Sequence, residues 1–187
     1  MAPHAKWSAP GIELASDREL AGRLAASIEH LQLDAAAHQA EHSIEVELPF
    51  LHHFAPESKV VGIALGGGSL ASCKKFAAEL AEVLRSLGED VLLLISSDMN
   101  HFASDEENRR LDELAMKAIE SLDTKTLFET VRGNNISMCG LLPAVIAMEA
   151  LHQLNPLKEA KRIRYATSAE VSGDKSRVVG YAGMLFN

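Results

Sequence analysis

Cysteine is scarce in this 187-residue chain, which has only Cys73 and Cys139. Two cysteines cannot build a disulfide framework, so a reducing, cytoplasmic setting is the expectation. Basic residues are outnumbered by acidic ones, 18 against 26, for a formal net charge of −8. Recognition of phosphate backbones needs clustered Lys and Arg, so nucleic acid is not an expected partner. No apolar run approaches a membrane span, and Met1–Trp7 lacks the apolar core of a signal peptide, so no membrane partner is expected either. Both common nucleotide-binding loops are also missing. Gly66-Gly67-Gly68 has the wrong spacing and no Lys-Ser/Thr pair, so it reads as a permissive turn and no nucleotide is expected. No Gly-x-Ser-x-Gly elbow supports a serine nucleophile.

What is present describes a folded protein. Hydrophobic residues make up 47% and charged residues 24%, a globular balance that excludes disorder as the default state. The length suits one domain over residues 1–187, with no repeat, low-complexity tract or dividing linker. Ser16-Asp17-Arg18-Glu19 has capping-box spacing ahead of Leu20, Leu24 and Ile28. Residues 59–65 and 91–95 are short apolar runs that read as buried strands. Between them, Phe76, Leu80, Val83, Leu84 and Leu87 follow helical spacing up to Gly88. Ser104 and Glu107 open another helix, and further helices are expected at 124–131 and 141–154. Residues 163–167 and 178–186 read as closing strands. Strands separated by such helices indicate an α/β fold with a parallel or mixed sheet, whose ligand site lies beyond the strand ends.

Three clusters carry chemistry. Ser96-Ser97-Asp98-Met99-Asn100-His101 follows the 91–95 run, where polar groups need partners or a ligand. Asp98 is close enough in sequence to orient His101 or share a ligand with it; the same residues also suit a turn that caps the next helix. In Glu41-His42-Ser43-Ile44-Glu45, an imidazole and two carboxylates can meet a hard or borderline metal, or form a solvated acidic face. Pro49 makes a long regular helix there uncomfortable. Met138-Cys139-Gly140 places a thiol ahead of a helix, where the free N–H groups and the helix dipole favour a thiolate. Cys73, inside an amphipathic helix, reads as a small core residue.

Taken together and in order, Glu41–Phe50, Ser96–His101 and Met138-Cys139-Gly140 with Pro143 resemble the signature blocks of the Memo family, whose bacterial and archaeal members are called AmmeMemoRadiSam system protein B. Trp7-Ser8-Ala9-Pro10-Gly11 is similar to the family's tryptophan block. Tyr165–Ser168, Ser172-Gly173-Asp174 and Val178–Ala182 are similar to its tail, so the resemblance covers nearly the whole chain. It implies a three-layer α/β sandwich with a central mixed sheet, as in the class III extradiol dioxygenases. It also implies a pocket in which His42, His101 and Cys139 hold a transition metal, iron or copper before zinc, with Asp98, Glu41, Glu45 and Ser97 beside them.

The resemblance leaves the reaction unsettled, and no catalytic residue is assigned. The alternatives are a non-haem iron dioxygenase-like enzyme on a small substrate, a peptide- or protein-binding module using the same pocket, and a purely structural role. The family name implies AMMECR1-like and radical S-adenosylmethionine proteins as partners. A family strand with a Gly-Pro-x-His segment is expected ahead of the tryptophan block, and His4 does not match it. A sheet edge left open by its absence is expected to favour a homo-oligomer.

Overall fold

In a computed structural model, residues 1–88 and 90–187 are described, and they form two units. The first comprises residues 1–66 and 82–91, and the second residues 67–81 and 92–187.

The first unit begins with an antiparallel hairpin of β1 (Lys6–Ala9) and β2 (Ile12–Ala15), in which Trp7 pairs with Leu14. Gly11 turns the chain at φ +74°, a left-handed conformation that glycine adopts without a steric penalty. Helix α1 (Arg18–Ser27) starts one residue later than the capping-box spacing suggests, because Asp17 is its cap and accepts from the Leu20 N–H at 2.9 Å. Ser16 is otherwise engaged, its N–H donating to the Ala5 carbonyl and its backbone bridging Val60. Ala21, Leu24, Ile28 and Leu31 are buried. After short 3₁₀ turns at Ala36–His38 and Glu45–Glu47, α2 (Leu48–Phe54) places Pro49 in its first turn, where the missing N–H costs nothing.

The expected strand at 59–65 does not form a ladder. Its backbone bonds go to scattered partners: Val60 to Ala15 and Asp17, and Gly62 to Ala2. Gly62 itself is required by packing, since a Cβ there would overlap the Trp7 ring and crowd Ile44. The expected strand at 91–95 likewise has no ladder partner among the described residues, and Val91, Leu92 and Leu94 are exposed. An apolar run records a preference for extended burial but does not supply the neighbour that makes a strand.

Helix α3 (Leu70–Arg85) crosses the boundary between the units, and its first part supplies buried Cys73, Ala77, Leu80 and Ala81. The core of the second unit comes from three helices. Helix α4 (Asp105–Glu120) buries Ala115, Met116 and Ile119, and α5 (Thr124–Gly133) buries Leu127 and Val131. Helix α6 (Leu141–Leu154) buries eight residues, Val145 and Met148 completely. One face of α4 packs on an antiparallel sheet of order β3-β5-β4, formed by β3 (His101–Ala103), β4 (Ala160–Thr167) and β5 (Val178–Phe186).

The architecture is therefore mixed α/β, but both described sheets are antiparallel rather than parallel or mixed. The β4–β5 connection runs only from Ser168 to Arg177, through the single turn of α7 (Ala169–Ser172) and Gly173 at φ +74°. A parallel crossover needs about a dozen residues or more, whereas this connection returns the chain beside itself. Among the described residues no helix is long and apolar enough to cross a membrane.

Candidate functional site

In the second unit, the residues after position 95 meet the start of α6. The meeting depends on Gly140, because a Cβ there would overlap the Ser97 side chain and sit 3.2 Å from the Ser96 carbonyl oxygen. With no side chain in the way, the Gly140 N–H donates to Ser97 Oγ at 2.8 Å, and Ser97 Oγ donates to the Asp98 carbonyl at 2.6 Å. Cys139 therefore lies against Asp98, whose backbone N–H donates to its Sγ at 3.1 Å. Ser97 Oγ is 3.8 Å from the same sulfur.

Asp98 also reaches the imidazole. Its Oδ2 is 3.1 Å from His101 Nε2, with the carboxylate 43% and the imidazole 18% exposed. On the other side of the ring, Nδ1 is 2.9 Å from the Ser137 carbonyl oxygen, which can only accept, so Nδ1 carries the proton. Nε2 is then the nitrogen that carries a second proton toward Asp98 or offers its lone pair to a metal. One residue, Asp98, thus touches the thiol through its backbone and the imidazole through its side chain.

Buried polar groups hold the 98–101 segment in place. Asn100, 4% exposed, accepts at Oδ1 from the Ser137 N–H (3.0 Å) and from Ser137 Oγ (3.1 Å), and its Nδ2 donates to Asn108 Oδ1 at 2.8 Å. The Asn100 N–H donates to Asp112 Oδ1 at 2.7 Å. Asp112 Oδ2 accepts from Asn108 Nδ2 (3.0 Å) and the Tyr165 hydroxyl (2.7 Å). Burial pushes the Asp112 carboxyl up, against the opposing bonds from Tyr165, Asn100 and Asn108. Burial and the Asp112 bond in turn push the Tyr165 phenol up. Gly180 completes the arrangement, since a Cβ there would overlap the Asp112 carboxylate.

Asn108, Asp112 and Ser137 lie outside every motif block. The available signal was Asn108 and Asp112 at i, i+4 on the α4 face that also carries buried Ala115 and Ile119. Two polar residues interrupting an apolar stripe call for buried partners.

The other predicted residues lie in the first unit. Glu41 accepts from the Ser43 N–H and hydroxyl and from the Ile44 N–H, capping the following turn. Burial pushes its carboxyl up, but these bonds outweigh it and hold the group below the usual carboxylate range. His42 and Glu45 are exposed. Glu41, His42 and Glu45 do not gather into a metal-binding group: among the described residues no three His, Cys, Asp or Glu side chains do so.

The donors of the second unit fit a borderline transition ion in kind, a sulfur and an imidazole nitrogen with a carboxylate between them. Cys139, Asp98 and His101 nonetheless do not gather into a three-donor metal group, since no three His, Cys, Asp or Glu side chains do so among the described residues. The two cysteines differ sharply: both are free thiols, but Cys139 is exposed whereas Cys73 is buried, which pushes its thiol pKa up.

A family model described as Memo-like protein matches residues 1–185. Similar proteins named MEMO1 family protein include one from Methanobrevibacter smithii, 34% identical over 181 residues, covering 97% of this chain and 64% of that protein. One from Aquifex aeolicus is 38% identical over 181 residues, covering 96% and 66%. One from Desulfurococcus amylolyticus is 35% identical over 185 residues, covering 98% and 65%. The chain thus spans slightly less than two thirds of the length of these relatives.

Proposed function

The chain belongs to the Memo-like family, and from that premise we propose that it binds a transition metal through a thiolate at Cys139 and the Nε2 of His101. The observation that carries this reading is the double contact of Asp98, whose N–H faces Cys139 Sγ while its carboxylate faces His101 Nε2. The Asp98 N–H gives a metal-bound sulfur a hydrogen bond it can accept, and the thiolate is the form that ligates metal. The Ser137 carbonyl fixes the tautomer that leaves Nε2 available. Asp98 orients the imidazole in the absence of metal and supplies a carboxylate oxygen beside Nε2, at 3.1 Å.

The motif resemblance adds His42 as a third ligand, an assignment that rests on the sequence block alone. Mixed sulfur and nitrogen ligation suits iron, copper or zinc rather than magnesium or calcium, and the family resemblance puts iron or copper first. The family resemblance also extends to a dioxygenase-like sandwich for the whole protein. That kinship of fold does not establish oxygenase chemistry, and a thiolate in place of a carboxylate departs from the usual iron oxygenase triad.

Alkylation tests the reading. Iodoacetamide is expected to modify Cys139 faster than Cys73 in metal-free protein, and Cu or Fe is expected to slow the modification of Cys139 by about tenfold. His101→Ala and His42→Ala should each remove that protection. His152→Ala should not, because its Nε2 is held by the Leu122 carbonyl at 2.9 Å in the last turn of α6. Equal labelling of both cysteines, unaffected by metal, would sink the proposal.

A further inference from the structure

Phe102, next to the imidazole, is held at a conformational cost with no burial in return. It is the bulged residue of β3: His101 pairs with Val179 and Ala103 with Val178, leaving Phe102 between them without a partner. Its φ is +66°, in the left-handed region that bulky residues rarely occupy. The ring is 66% exposed, so the usual return on an aromatic side chain is not collected.

Its close neighbours are an imidazole and a guanidinium. The His101 ring lies 5.6 Å away, centroid to centroid, and the Arg177 guanidinium carbon lies 4.4 Å from the Phe102 centroid. Arg177 is exposed, and among the described residues it forms no ion pair or side-chain hydrogen bond. Bulges re-aim side chains beside active sites, and strain of this kind persists where the position serves a ligand.

We infer that Phe102 and Arg177 form a recognition platform for a flat monocarboxylate, such as an aromatic or unsaturated acid, next to Asp98, His101 and Cys139. The inference rests on the reading of those residues as the functional site. The guanidinium stacks on the phenyl ring, which leaves its planar fork of N–H donors free to take a carboxylate in a bidentate pair. The part of the exposed ring that the guanidinium leaves uncovered gives the flat body of the ligand an apolar flank. A monoanion fits better than a dianion, because the Asp98 carboxylate stands at the same site and the chain carries a net charge of −8.

Benzoate is the test ligand for the full chain. Benzamide serves as its neutral counterpart and cyclohexanecarboxylate as its non-flat one. Benzoate should shift the His101 and Phe102 amide NMR signals saturably and slow Cys139 alkylation by about threefold at saturation. Both control ligands should bind about fivefold more weakly or worse. Arg177→Gln should weaken benzoate by about tenfold, and Phe102→Gly by about fivefold. Phe102→Gly should keep Tm within about 2 °C of the parent, because glycine relieves the left-handed strain while losing only an exposed stack.

Equal binding of benzoate and benzamide, no saturable shift, or unchanged affinity in Arg177→Gln would overturn the platform. Metal protection of Cys139, measured in the same proteins, separates the two proposals. Protection without benzoate binding overturns the platform alone, whereas Arg177-dependent benzoate binding without protection overturns the metal reading alone.

Discussion

At the scale of single residues, the polar side chains beneath the candidate site are buried because they are paired. Asp112 accepts three hydrogen bonds and donates none, so an amide in its place would turn an NH₂ group toward a donor. Asp112→Asn is expected to cost about 2 kcal/mol at neutral pH, read from urea unfolding. The pH dependence carries a sign. Burial raises the Asp112 carboxyl above its unfolded value, so its contribution is complete below the unfolded pKa and is lost as pH rises through the folded one. The advantage of the parent over Asp112→Asn should therefore shrink from about pH 4 toward neutrality. An advantage that grows over that range would show that the hydrogen bonds, not burial, set the titration. Gly140 and Gly180 belong to the same scale: each is small because a neighbouring side chain, Ser97 or Asp112, occupies the space of a Cβ.

Among the secondary-structure elements, helix starts separate what sequence spacing specifies from what the tertiary structure decides. Ser104 caps α4 as its spacing predicts, accepting from the Glu107 N–H at a long 3.4 Å. Asp17 displaces Ser16 as the cap of α1 because Ser16 is drawn into the bridge with Val60, a partner that no local pattern reveals. Helix α5 has the richer cap. Asp123 accepts from the Lys125 and Thr126 N–H groups and from the Thr126 hydroxyl, which holds its carboxyl below the usual range. Asp123→Ala is expected to cost about 1–2 kcal/mol and Ser104→Ala about 0.5 kcal/mol, measured by thermal melts. The reverse order would show that cap geometry does not govern these helix starts. Helices α4, α5 and α6 were legible because their apolar spacing matches their burial. The runs at 59–65 and 91–95 suggest strands that form no ladder among the described residues, because β-propensity says nothing about which backbone stands alongside.

For the whole molecule, the α/β class and the family are legible in the sequence, since ordered blocks from Trp7 to Ala182 survive in one chain and the family match spans residues 1–185. The candidate site is legible in part. The Ser96–His101 and Met138–Gly140 blocks do converge, whereas the clamp of Asn100 on Ser137 and the polar pair on α4 depend on contacts between elements that no motif contains. The proposed ligation of one metal by Cys139 and His101 is open to direct test. The most direct measurement is titration of the metal-free chain with Cu(II), followed by optical absorption and dialysis. About one equivalent should bind with a thiolate-to-metal charge-transfer band that vanishes in Cys139→Ser, and His101→Ala should lose about tenfold or more in affinity. The same band and affinity in Cys139→Ser would contradict the proposed ligation.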